Sequence, residues 1–436
     1  MDFYKEIACL EISNNVDSLI GLADSIWNYA ETGYNAQKSS DAICRFLEKK
    51  SFRVIRNFKG IKSTFIAEYG HSESIAGPRK VANVGILCSY DAVPNKGHVK
   101  GTNLSAEVAV AAALALKAVI SSTADKLGKV TLIGCPNQEG GGLIPLLRLR
   151  AFRGLDIVLT AVPGVKTQWH PIYTGSMSYK ALYYGSAAQP EKTIPSTNAM
   201  DASITAYTNM QAMQEHFGRA WKAAGSIFQP GSIWVDRALC QTVVKFIAPT
   251  GPELKFMAMR ILACLQSAAN SSGCQVDINQ REYTIQPLLS NIQLGYLLQL
   301  NAYHCGVLAS PRKSLELMVP VDVAEVSRVV PTIRPTFYIG TDAKPGTEEF
   351  KTACKTNTAH HYALAMAKAL AMTAVDVLHT PDTLATVKEE LRASLEKEVK
   401  SKFTPFPVQE TNVNRYLIQT EMPFDSGAVG WAKPVC

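Results

Sequence analysis

The sequence predicts an α/β chain: a central mixed sheet with helices on its faces, and a smaller α+β domain inserted into it. Three observations carry this prediction. Compact apolar runs at 81–87, 129–134 and 155–161 are separated by helical stretches, the order expected of β-α-β units with right-handed crossovers. From about residue 173 the pattern changes to β-α-β-β-α-β, the signature of a split, ferredoxin-like antiparallel sheet. From about residue 288 helical periodicity returns.

Taken in order, residues 12–50 carry two amphipathic patterns, one through Leu19, Leu22, Ile26 and Trp27 and one through Ile43, Phe46 and Leu47. The run 81–87 reads as a buried strand leading into Ser89-Tyr90-Asp91, and 105–120, dense in Ala, Leu and Val, as a buried helix. Strands follow at 129–134 and 155–161, so the loops 89–104, 135–142 and 162–170 fall past strand carboxyl ends, where α/β sheets place their working residues. In the insert, 177–184 alternates as a half-exposed strand, 198–216 and 253–271 are helical, and 241–247 and 274–285 are extended. Helices are expected at 288–305 and 358–380, and 396–436 as a surface strand or strap. The expected division is 1–172 and 288–395 for the main domain, 173–287 for the insert and 396–436 for a C-terminal extension.

Composition excludes some functions. Hydrophobic residues make up 47% and charged residues 19%, enough to build a core and too ordered a mix for a disordered chain. The net charge of +7 is dispersed, without the basic face of a nucleic-acid binder. Ten cysteines include no Cys-x-x-Cys pair, which favours buried free thiols in a reducing compartment. The N-terminus lacks the basic and apolar regions of a signal peptide, and no membrane-spanning run is read, so a cytoplasmic location is expected. Gly140-Gly141-Gly142 lacks the Lys-Ser/Thr of a phosphate loop, and no cofactor is expected.

The motifs point to one family. Ile26-Trp27…Glu31-Thr32-Gly33, Tyr90-Asp91-Ala92-Val93-Pro94, Gly97-His98-Val99-Lys100-Gly101-Thr102-Asn103, Pro136…Glu139-Gly140-Gly141-Gly142, Val162-Pro163-Gly164 and Val329-Val330-Pro331-Thr332-Ile333-Arg334-Pro335 occur in this order. From about Ile26 to about Leu395 the chain resembles the zinc-dependent amidohydrolases that include auxin-conjugate hydrolases, aminobenzoyl-glutamate hydrolases and dipeptidases acting on basic amino acids. The resemblance implies a hydrolase-like catalytic domain of the phosphorylase/hydrolase type with an inserted lid, and homodimerisation through the lid helix 198–216.

The same resemblance implies a dinuclear zinc site, and here the pattern departs from the family. Lys100 takes the place of a ligand Cys and Thr102 that of the adjacent His; Val162 and Arg334 take the places of two further His ligands. Glu139 keeps the ligating carboxylate, Gln138 replaces the general base, and Gln189 replaces the lid His that meets the reaction intermediate. Losing the metals would leave uncompensated carboxylates, and Lys100 and Arg334 supply two cations that are expected to pair with Glu139 and Asp91. The alternative is that both long side chains swing out to solvent.

Three readings follow. The preferred one is a repurposed, metal-independent enzyme acting on an amino-acid-derived or carbonyl small molecule by condensation, cyclisation, isomerisation or elimination. Lys100, Glu139, Asp91, His98, Thr102 and Tyr90 would supply its catalytic groups, and Arg334, Gln138, Asn103 and Gln189 would bind substrate. The second is a non-catalytic binding or regulatory partner. The third is a residual metal-dependent amide hydrolase, with Glu139 and Asp91 joined by His98 or His170.

Overall fold

Parallel pairing brings the predicted loops to one edge. In the computed structural model, which describes residues 2–71, 82–123, 128–136, 141–186, 196–218, 220–229, 239–310 and 317–400, the main sheet has six strands. Their order is Arg53–Arg56, Phe65–His71, Gly128–Gly134, Asn83–Cys88, Ile157–Leu159, Thr332–Ile333. The first three strands pair antiparallel and the last four run parallel, so the sheet is mixed, as expected. The parallel strands are covered on both faces, which is why every residue of Asn83–Cys88 is buried. Phe65 pairs with Gly134 across the antiparallel step, and a Cβ on Gly134 would lie 2.0 Å from the Phe65 ring. Only glycine fits there.

The Ala-rich helix Thr102–Ser122 begins at the site edge and runs through the core against Asn357–His379. Small side chains on both let the backbones approach closely. These two helices are apolar and long enough to cross a membrane by length and composition alone, longer than the sequence pattern suggested, yet their apolar windows are 83% and 78% buried within the fold.

The insert is a four-stranded antiparallel sheet in the order Gln275–Gln280, Gly175–Tyr184, Leu239–Ala248, Lys222–Phe228. Met177, Tyr179, Ala181 and Tyr183 alternate onto one face and bury against helices Ala199–Gln214 and Gly251–Ser272. The second helix starts with a capping box in which Thr250 and Glu253 satisfy each other's backbone N–H groups.

Two helices differ from the expected pattern. Asp2–Asn14 forms a helix docked through Ile7, Ala8 and Ile12, a spacing too short and too polar in its flanks to stand out in the sequence. Pro381–Lys400 is helical, so 396–400 continues a helix where a strap was expected. Its exposed face is built from i,i+3 and i,i+4 pairs such as Arg392–Glu389 and Arg392–Glu396, with Val387 alone fully buried. The rest of the expected extension, 401–436, lies outside the described residues.

Candidate active site

Four neighbouring parallel strands end at the same edge, and the segments leaving them carry the candidate residues. The segment after Cys88 is braced from below. The Ala92 N–H donates to the Glu31 carbonyl at 2.6 Å, and the Glu31 carboxylate caps the helix Gln37–Lys49 by accepting from the Lys38 and Ser39 N–H groups at 3.0 and 2.8 Å. The N-terminal Glu-Thr-Gly motif therefore works as a support for the Asp91 loop.

His98 closes this loop. Its Nε2 lies 2.9 Å from the Ile26 carbonyl and its Nδ1 2.7 Å from Thr102 Oγ1, while the Thr102 hydroxyl is also 2.7 Å from the Asp91 carbonyl. A carbonyl only accepts, so Nε2 carries the proton. Burial pushes the imidazole down to about 4, so the ring is neutral, and the single Thr102 hydroxyl proton goes to the Asp91 carbonyl, with Nδ1 against the same oxygen. His98 and Thr102 are thus occupied in holding the loop. Gly101, at φ 67°, starts the helix Thr102–Ser122; a Cβ there would meet Pro163 Cγ at 2.5 Å and Cys354 Sγ at 2.9 Å. This contact locks the Lys100 loop against the 162–164 strand.

Lys100, Asp91 and Arg334 come together beyond this brace. Burial lowers the Lys100 ammonium pKa; the Asp91 charge opposes this and the Arg334 charge adds to it. Arg334 emerges between the strands Thr332–Ile333 and Thr336–Tyr338, and Thr336 pairs with Val162, so Val162 and Arg334 share one strand end. The Arg334 side chain is 94% buried, its guanidinium 5.2 Å over the Tyr173 ring. Its Nε and Nη1 have no hydrogen-bond partner. The solvent-facing alternative therefore fails for Arg334, and no carboxylate among the described residues forms an ion pair with it.

Sequence reasoning missed Asp322. This carboxyl is fully buried, accepts the Leu143 N–H through Oδ2 at 2.7 Å, and leaves Oδ1 without a partner. Burial pushes it up to about 8, although the Leu143 hydrogen bond and Arg334 pull the other way. Tyr173 and Tyr34 were missed as well. The Tyr173 hydroxyl is buried beside Arg334, whose charge pulls down a phenol pKa that burial raises, and the Tyr34 phenol is pushed up to about 12 by burial, then by Cys135, Asp322 and Asp91. The one available signal for Asp322 was a lone acid inside the apolar run Val321-Asp322-Val323-Ala324.

The structure takes other candidates elsewhere. Tyr90 turns into the core, stacks on Phe65 at 5.9 Å and donates its hydroxyl to the Ser63 carbonyl. Its phenol is raised well above the ordinary value by burial, so it serves packing and not proton transfer. Asn103 is buried, with Nδ2 donating to the Cys354 carbonyl at 3.1 Å and Oδ1 unpartnered. His170 faces Ser290 at 3.3 Å in a separate cavity of about 320 Å³, also lined by Asn291 and Glu390. Tyr173 lines that cavity as well as lying under Arg334. Glu139, Gln138 and Gln189 lie outside the described residues.

The donors among the described residues do not by themselves make up a zinc pair. Among the described residues no three His, Cys, Asp or Glu side chains converge as metal ligands. At the strand ends the groups offered are an ammonium, a guanidinium, a hydroxyl already engaged by His98 and the Asp91 backbone, and the valine Val162. What the cluster offers instead is a buried pair of donors on Arg334 and a buried acceptor on Asp322, near one another but not bonded.

No family sequence model matches the chain. It is 34% identical to a mouse Xaa-Arg dipeptidase over 91% of this chain and 94% of the relative, and 30% identical to the human Xaa-Arg dipeptidase over 89% and 92%. A dinuclear metal-binding peptidase of the M20 family from Bacillus subtilis shares the fold, with a TM-score of 0.63 at 14% identity, covering 84% of this chain and 99% of that one.

Proposed function

Because the chain belongs to the amidohydrolase and peptidase family of the Xaa-Arg dipeptidases, we propose that it is an enzyme acting on an amino-acid-derived small molecule through a rebuilt, zinc-independent site. The observation that carries this reading is Arg334, buried with two unpartnered N–H donors where the family resemblance puts a metal ligand. A substrate carboxylate satisfies one of these donors together with Nη2 in bidentate fashion. A protonated Asp322 or a substrate N–H then satisfies the remaining polar contact, since burying either group alone is costly. Lys100, held near Asp91, supplies the acid–base group. The reaction class this supports is chemistry at a C–N or carbonyl centre next to a carboxylate.

A second reading, hydrolysis of Xaa-Arg dipeptides, is favoured by the relatives' activity. One experiment separates the two. An untargeted metabolite extract is incubated with wild type and with Lys100→Ala and Glu139→Ala, with alanyl-arginine and zinc in a parallel arm. The proposed reading expects a product that forms in the presence of 1,10-phenanthroline and is lost in Lys100→Ala. Alanyl-arginine hydrolysis that requires zinc and survives Lys100→Ala establishes the hydrolytic reading instead.

A further inference from the structure

A second cluster lies away from this site, where the helix Asp2–Asn14 packs against the end of Ile292–His304 and the middle of Asn357–His379. Three sulfur atoms meet there. Cys9 Sγ and Cys305 Sγ each lie 3.7 Å from Met372 Sδ, so the two thiols converge on one thioether. Cys9 and Cys305 are partly exposed, whereas Met372 is buried. Elsewhere among the described residues a thiol meets a thioether singly, as in Cys240–Met200 at 3.9 Å and Cys264–Met213 at 4.0 Å.

We propose that Cys9, Cys305 and Met372 form a binding site for a soft monovalent metal ion, with Cu(I) the fitting species. Thiolate and thioether donors select Cu(I) over the harder divalent ions, and two thiols with one thioether make a complete trigonal set. A d¹⁰ ion about 2.3 Å from each sulfur needs its donors ~4.0 Å apart. The two observed 3.7 Å spacings are within a few tenths of an ångström of two sides of that triangle before any rotamer change. Binding is a proton exchange without electron transfer: Cu(I) forms bonds to the two sulfurs, each thiol releases its proton to solvent, and the bound centre carries one net negative charge. Lys368, which donates to Ser13 at 2.9 Å, acts on both thiols and is placed to balance that charge.

The test is an anaerobic titration of the reduced protein with Cu(I) held as its bicinchoninate chelate, reading loss of the coloured chelate. Wild type is expected to withdraw about one equivalent more than Cys9→Ser or Cys305→Ser. Other reactive thiols contribute equally to all three proteins. Met372→Leu keeps both thiols and the core volume and is expected to bind about tenfold more weakly, with X-ray absorption showing two sulfur neighbours where wild type shows three. Both serine variants replace partly exposed thiols by a near-isostere, so either one carries the comparison if the other melts early. Equal copper uptake by wild type and both serine variants overturns the proposal. So does recovery of wild type with a Cys9–Cys305 disulfide and no copper.

Discussion

At the residue scale, the account rests on how Asp91 and Arg334 set the protonation of Lys100. Burial and the Arg334 charge lower the ammonium pKa, and Asp91 raises it. If Lys100 is the base, activity rises as pH passes upward through its lowered pKa. Arg334→Met removes a neighbouring cation, so the inflection of the pH–rate profile moves up; Asp91→Asn removes an anion, so it moves down. A profile unmoved by either change shows that Lys100 does not set the rate. Lys100 and Arg334 were legible in the sequence because each interrupts a recognisable motif. Asp322 and Tyr173 were not, because their roles come from tertiary burial that no local spacing records: Asp322 matters through Leu143, 179 residues away along the chain. His98 and Tyr90 were legible as loop residues, but only the geometry shows their polar atoms engaged with Ile26, Thr102 and Ser63.

At the element scale, three helices meet around a buried ionisable cluster distinct from the site. Glu107, on Thr102–Ser122, accepts from His360 Nδ1 at 2.7 Å; Asp24 on Val16–Tyr29 lies 3.8 Å from His360 Nε2. Glu107 is the one acid in an apolar helix, and its partner lies 253 residues away along the chain. Burial alone would lower the His360 pKa, but Glu107 and then Asp24 overcome this and raise it. Its contribution is therefore complete below about pH 6.5 and is lost as pH rises through the raised value. Wild-type thermal stability is predicted to decline above about pH 6.5, whereas Glu107→Gln removes that decline and costs about 2 kcal/mol near pH 6. Parallel pH slopes in the two proteins, read by calorimetry, contradict this. The helices and strands themselves were readable where periodicity is strong, as in Asn357–His379. Asp2–Asn14 and Pro381–Lys400 were not, since they are stabilised by docking and by surface ion pairs.

At the scale of the whole molecule, the alternation of strand and helix, broken once by the β-α-β-β-α-β insert, was enough to predict the architecture that the M20-family peptidase shares. The insert's helix Ala199–Gln214 leaves Ile204 and Tyr207 exposed on the side away from its core. We propose that this face pairs two copies of the chain. Light scattering is predicted to give twice 47.4 kDa for wild type and the monomer mass for Ile204→Glu. A monomeric wild type removes the proposal. For the main domain we propose that, at the strand ends, cations have taken the place of the family's metal ligands. The direct measurement is zinc content by mass spectrometry after zinc loading and gel filtration. It is made on the Cys9→Ser/Cys305→Ser protein, so that the sulfur cluster cannot contribute. The account predicts well under one equivalent of zinc, whereas about two equivalents, lost in Glu139→Ala, would contradict it.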